Sequence, residues 1–208
     1  MNTHLESKWK FVGGRLCLDF TNSVGGRVNI DNGDYKILSD KFKNYFDLVD
    51  WAKAIGILNE SKVKKLIHYA SQNEKAVDKI FNRSITLRES LYRIFKGVME
   101  HAEPSSEIVE ILNNECATAY ERQRLVYSSG KFDLDFGEND EPDRMLWSVA
   151  LSGKELLLSD QLYRLRQCAG ENCGWLFLDT SKNKSRQWCD MKDCGNIAKV
   201  RRYREKQK

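Results

Sequence analysis

A chain of 208 residues has room for one good core plus an appendage, or for two modest domains, and two units are the expectation. With 41% hydrophobic and 31% charged residues, the composition excludes a disordered chain, and no run of ~18 apolar residues offers a membrane span. The formal charge of +4 hides a division: from residue 180 onward ten Lys and Arg face three Asp and Glu, leaving +7 there and −3 before it. That asymmetry points to a polyanion as partner for one end.

The opening, MNTHLESKWKFVGGRLCLDF, is charged and broken by glycines, with no apolar run of signal-peptide kind, so a cytoplasmic location is expected. Leu16, Leu18 and Phe20 alternate between two glycine pairs, which predicts a strand. From Asn44 the apolar positions fall at helical spacing: Phe46, Val49, Trp51, Ile55 and Leu58, then Val63, Leu66, Ile67 and Ala70. Asn44 with Asp47, and Ser61 soon after Asn59, read as caps. The longest periodic run, Asn73 to Glu103, predicts one long helix or two in line. Pro104 and the following serines open a further helix carrying Ile108, Ile111, Leu112, Cys116 and Tyr120 on one face. LVYSSGKFDLDF predicts a hairpin near 125–136, turning at Ser-Ser-Gly with Phe132, Leu134 and Phe136 alternating. The helical period returns from Pro142 to about Tyr163. The expected fold is mainly α with a small β component: a helical body over 1–160 and a small metal-bound module over 161–208.

That module is read from the cysteines. In a reducing compartment, closely paired thiols point to metal ligation or catalysis rather than to disulfides. Of six cysteines, Cys168, Cys173, Cys189 and Cys194 form two Cys-x4-Cys pairs separated by residues 174–188. Structural zinc draws its ligands as two such pairs from separate turns, and CAGENC and CDMKDC hold the glycine, asparagine and aspartates that make tight turns. GWLFLDTSKNKSRQW, between the pairs, predicts a β-hairpin spanning the metal, in a treble-clef or zinc-ribbon-like arrangement. A unit of about 40 residues is rarely stable without a metal or disulfide. A redox dithiol and coincidental buried thiols are the other readings, the first disfavoured by a spacing of four where redox pairs commonly have two. Four thiolates would fill the coordination sphere, so the metal is structural rather than catalytic. Cys17 and Cys116 are expected to be buried small hydrophobes.

The last helix has two faces. Ile197, Val200 and Tyr203 fall together and are expected to pack, while Lys199, Arg202 and Lys206 lie opposite, flanked by Arg201, Arg204 and Lys208. With Lys182, Lys184 and Arg186 these cations form the footprint of a phosphate-backbone binder. Two blander readings stand beside it. Lys182, Lys184 and Lys192 would balance a thiolate cluster, and cations near a helix C-terminus also suit its dipole.

Cys-x4-Cys followed by WCDMKDCGN and KVRRYREK resembles the CGNR zinc-finger family of bacterial proteins. GGRLCLDFTNSVGGR is similar to the LDF-x-N-T opening of the ABATE domain, which precedes that finger and is described as a stress-induced transcription regulator. Together the two cover nearly the whole chain. The resemblance implies zinc on Cys168, Cys173, Cys189 and Cys194, and DNA as partner of the finger. Two positions depart from the pattern: Ile197 stands where the family has an arginine after CGN, and Ser23 stands where it has a threonine. Either the nucleic-acid contact is absent, or Ile197 packs inward and Arg201 and Arg202 carry the load. Asp19, Asn22 and Arg27, beside Gly25 and Gly26, either frame a small-ligand pocket for an unknown effector or form a turn and cap network, with Arg15 and Arg27 placed to pair with them.

His4, His68 and His101 are scattered, and no H-E-x-x-H, G-x-S-x-G, P-loop or G-x-G-x-x-G is present. An enzyme is therefore not expected. Trp51, Trp147, Trp175 and Trp188 are expected in cores, with Trp188 shielding the metal. The leading functional expectation is a cytoplasmic, stress-responsive DNA-binding regulator. The alternative keeps the zinc module and makes its basic helix a docking surface for RNA or an acidic protein. A homodimer would suit paired half-sites, although no heptad marks an interface.

Overall fold

The structure, a computed structural model, describes residues 8–30, 34–137 and 140–207; His4 and Lys208 lie outside them. Helices predominate and strands are few and short, in keeping with the expected class. The chain divides into two compact units, one combining the segment up to Lys41 with Tyr163 onward, the other formed by Phe42–Leu162. This division differs from the boundary drawn on the sequence at 160/161, because the N-terminal segment packs with the cysteine module.

The second unit is helical. Asn44 caps α2 (Tyr45–Ala54), its side chain accepting from Phe46 and Asp47 N–H, and Asn59 caps α3 (Glu60–Gln72) by accepting from Lys62 N–H. The long periodic run forms a single helix, α4 (Glu74–Glu100), which ends where His101 adopts a left-handed φ of 55°. α5 (Ser106–Arg122) and α6 (Arg144–Leu157) complete the set. Trp51, Trp147, Leu66, Leu87 and Phe95 lie at its centre. A Cβ on Gly153 would stand 2.6 Å from Leu91 Cδ2, so that glycine lets α6 approach α4 closely. Cys116 is buried and donates to Ala150 O. Between α5 and α6, β3 (Arg124–Ser128) and β4 (Lys131–Asp135) form an antiparallel hairpin. Ser129 and Gly130, both at positive φ, make a two-residue turn within the Ser-Ser-Gly where the sequence predicts the hairpin.

The first unit begins with a correction. Leu16–Thr21 is a short helix, α1, rather than a strand. Cys17, Leu18, Asp19, Phe20 and Thr21 are all buried, so neither period is imposed by an exposed face and the alternation of three apolar residues fits both. The strand lies further on: β1 (Val24–Asn29) contains the second glycine pair and runs antiparallel to β2 (Tyr35–Asp40), with a bulge at Gly25–Gly26. A Cβ on Gly25 would overlap Ser39 Oγ at 1.9 Å, and one on Gly26 would overlap Asn172 O at 2.0 Å. The doublet thus permits close approach to β2 on one side and to the first cysteine turn on the other.

The C-terminal hairpin is also placed differently from expectation. β6 (Leu176–Leu178) pairs with β5 (Leu165–Gln167), which precedes Cys168, and not with the return segment before Cys189. The hairpin therefore encloses the first cysteine pair at its tip, while residues 179–188 form a loop. Asp179 organises that loop by accepting from the N–H of Ser181 and Arg186 and from the Ser181 hydroxyl. A π-type turn at Met191–Gly195 leads directly into α7 (Asn196–Glu205).

Candidate metal centre and basic helix

Two turns bring four sulfurs together. In the first, Cys173 N–H donates to Gly170 O, and a Cβ on Gly170 would stand 3.1 Å from Cys194 Sγ, so a side chain there would crowd the sulfurs. In the second, Asp190 accepts from Lys192 N–H at 2.8 Å and Gly195 N–H returns to Asp190 O. Lys10 joins this turn to the N-terminal segment, its ammonium lying 2.5 Å from Asp190 and bonding Asp193 as well. The resulting sulfurs of Cys168, Cys173, Cys189 and Cys194 lie within 4.8 Å of one another.

The geometry fits a tetrahedral cation. Cys173 and Cys189 sulfurs are 3.6 Å apart and those of Cys189 and Cys194 are 3.7 Å apart. Metal–sulfur bonds of ~2.3 Å in a tetrahedron place sulfurs about 3.8 Å from each other. A disulfide would need ~2.05 Å, and all four cysteines are free. Backbone N–H groups of Gly170 and Cys189 point at Cys168 Sγ from 3.4 and 3.2 Å, the arrangement that supports a thiolate. Hydrogen bonds from the Cys173 and Cys189 side chains hold Cys168 well below the usual thiol range. Those shared protons, with burial, push Cys173 and Cys189 up, and burial raises Cys194. Four thiolates this close repel one another, and a divalent cation among them would offset that repulsion.

Apolar groups enclose the centre. Val24, Trp175 and Phe177 pack with Cys168 and Cys189, and Trp188, half-buried, packs against this cluster. A Cβ on Gly195 would meet Met191 Sδ at 3.0 Å and Trp188 Cδ1 at 3.3 Å. Trp175 Nε1–H donates to Val24 O at 2.9 Å, and the Lys41 ammonium lies 4.8 Å from its ring centre.

The chain matches two family descriptions: "CGNR zinc finger" over residues 164–207 and ABATE, "Putative stress-induced transcription regulator", over residues 14–160. The chain belongs to the ABATE family. No curated protein matches it. The ABATE match begins at residue 14, just before α1, so its first part folds with the finger and its remainder forms the second unit.

Asp19, Asn22, Ser23 and Arg27 each make hydrogen bonds within the first unit. Asp19 Oδ1 accepts from Gly13 N–H at 2.8 Å, and burial pushes its carboxyl up to about 6. Asn22 bonds both backbone groups of Leu176. Arg27 donates to Thr21 O at 2.7 Å and lies over the Tyr35 ring. Ser23, in place of the family threonine, donates its hydroxyl to Phe20 O at 2.7 Å.

The basic residues divide into two groups. Arg186 is an internal strut: its guanidinium donates to the carbonyls of Val12, Leu178, Trp188 and Cys189 and lies 4.1 Å from the Phe177 ring centre. Lys182 and Lys184 are exposed, with the Lys184 ammonium over Tyr163. On α7, Arg201 pairs with Glu171 and Glu205. Lys199, Arg202, Arg204 and Lys206 are exposed, and no ion pair engages them among the described residues.

The expected inward face of α7 does not pack. Ile197 is 70% exposed, Val200 48% and Tyr203 64%. The helix leaves the metal centre through its first turn only, so beyond Ala198 both faces meet solvent. A groove of about 550 Å³ runs beside it, lined by Gly25, Asn172, Trp175, Ile197, Arg201 and Arg202 among others. Neither the groove nor the roles of Gly26, Lys10 and Asp179 are legible as site features in the sequence, although the Gly25–Gly26 doublet is the signal that a backbone approaches β1.

Proposed function

We propose that the four cysteines hold one zinc ion and that this ABATE chain is a cytoplasmic DNA-binding regulator rather than an enzyme. Zinc, when bound, supplies structural stability on the order of 10 kcal/mol. Cys168, Cys173, Cys189 and Cys194 fill the sphere, leaving no position for a water or substrate. The chain's own residues do the rest: Asn22, Gly26 and Trp175 hold the first turn, Lys10 and Asp190 hold the second, and α7 is carried out from it.

The observation that carries the reading is the row of exposed cations on α7. Lys199, Arg202 and Lys206 recur at i, i+3 and i+7, and their charges are not spent on internal carboxylates. Such a row suits duplex phosphate, because each neutralised phosphate releases condensed counterions. Binding of the zinc-loaded protein to duplex DNA should fall steeply with salt. Each phosphate contact removed, as in Arg202→Glu, should lower the log–log slope by about 0.9. Binding that ignores both salt and this substitution would overturn the proposal.

A second reading rests on Ile197, Val200 and Tyr203, whose exposure suits a protein-docking helix. It predicts weak salt dependence and loss of partner binding in Ile197→Glu with duplex binding absent throughout.

A further inference from the structure

The β3–β4 hairpin of the second unit presents an apolar face. Its register places Leu125 opposite Leu134 and Tyr127 opposite Phe132. Directly opposed residues share a face, and positions two apart on a strand do as well. All four therefore lie on one face, and the Tyr127 and Phe132 rings are 5.0 Å apart. Each is more than half exposed: Leu125 67%, Tyr127 67%, Phe132 68% and Leu134 57%. Arg124 opposite Asp135, Val126 opposite Asp133 and Ser128 opposite Lys131 form the other face.

We propose that two copies of this chain associate through the Leu125–Tyr127–Phe132–Leu134 face. The four side chains expose on the order of 500 Å² of apolar surface, the size of the largest patch on a typical monomer, which is often an interaction site. Two such faces bury about 1,000 Å², the lower limit for a specific contact. A two-stranded sheet alone in water is marginally stable and gains from a covering layer.

The chemistry of the face selects the occupant. The hairpin carries Arg124 and Lys131 against Asp133 and Asp135, so it is neutral and offers neither nucleic acid nor an anionic lipid surface any attraction. It is also self-complementary: leucine pairs with leucine and aromatic with aromatic across the ladder, so a copy related by a two-fold axis meets residues of the same kind. The contact is small, and weak association that depends on protein concentration is expected.

Sedimentation of the zinc-loaded full chain without DNA tests this, and the result is independent of nucleic-acid binding. The wild type should pass from monomer to dimer between about 1 and 100 µM. Phe132→Glu and Leu125→Lys should each weaken association at least ~100-fold by placing like charges face to face, while Ile197→Glu on α7 should leave it unchanged. Mixing Phe132→Glu with Phe132→Lys should restore a dimer that neither forms alone, which unfolding could not produce. A wild type monomeric at every concentration, a dimer insensitive to Phe132→Glu, or flotation of the monomer with neutral phosphatidylcholine vesicles through this face would each overturn the proposal.

Discussion

The side-chain amide of Asn22 pairs with the backbone of Leu176 in both directions, donating to its carbonyl and accepting from its N–H at 2.8 Å each. Leu176 opens β6, immediately after the first cysteine turn, and Asn22 closes α1. One side chain thus stands in for a neighbouring strand and couples the ABATE opening to the metal centre. Both backbone groups are buried, and Asn22→Ala would leave them without these partners. At ~1–3 kcal/mol per unsatisfied group, the variant should lose about 2–4 kcal/mol of stability in urea unfolding of the metal-loaded protein. A loss under ~1 kcal/mol would show that Leu176 does not depend on the amide.

The metal centre makes a sharper prediction. Cys194 is the last of the four ligand candidates and the one nearest α7, so Cys194→Ser should abolish tight metal binding. Elemental analysis should find one zinc per wild-type chain and almost none in the variant. Chelation of the wild type should reproduce the loss of α7 helicity in circular dichroism, since a structural metal and folding are thermodynamically linked. Retention of the helical signal after complete zinc removal would separate α7 from the metal.

What could be read from the sequence follows from how local each signal is. The four cysteines were legible because each pair closes within one turn, and α4 because its period runs for many residues. The β3–β4 hairpin was legible because its strands alternate strictly and Ser129–Gly130 occupy the positions that need positive φ. α1 was misread because six residues buried nearly all round show no amphipathic face. The pairing of β6 with β5 was hidden because the partner strand lies on the far side of Cys168. Arg186 was taken for a surface cation because charge says nothing of burial, and its carbonyl partners are set only by the folded loop. The inward packing expected of Ile197, Val200 and Tyr203 failed because periodicity marks an apolar face without supplying anything to cover it.

Arg186 yields a prediction that separates strut from surface cation. Its planar guanidinium reaches four carbonyls while stacking on Phe177, and lysine keeps the charge but not the fork. Arg186→Lys should lower stability by about 2–3 kcal/mol, whereas Lys182→Ala, at an exposed position, should change it by less than ~0.5 kcal/mol. Equal effects of the two on the urea midpoint would return Arg186 to the surface.

Asp19 sets a pH dependence whose sign is fixed by its surroundings. Burial raises its carboxyl to about 6 from 3.8, partly offset by the Gly13 and Val12 N–H groups. Between about pH 4 and 6 the folded chain therefore binds the proton more than the unfolded chain does, and stability attributable to this group falls as pH rises through that window. Above pH 6 the full cost of a buried carboxylate is present. Asp19→Asn keeps an acceptor for Gly13 N–H without the charge, so it should be more stable than wild type by ~2 kcal/mol at pH 7.5. That advantage should shrink toward pH 5. Urea unfolding of both proteins at the two pH values gives the difference directly, cancelling titrations they share. An advantage that stays constant, or grows as the pH is lowered, would mean that Asp19 is held ionised by its backbone donors throughout.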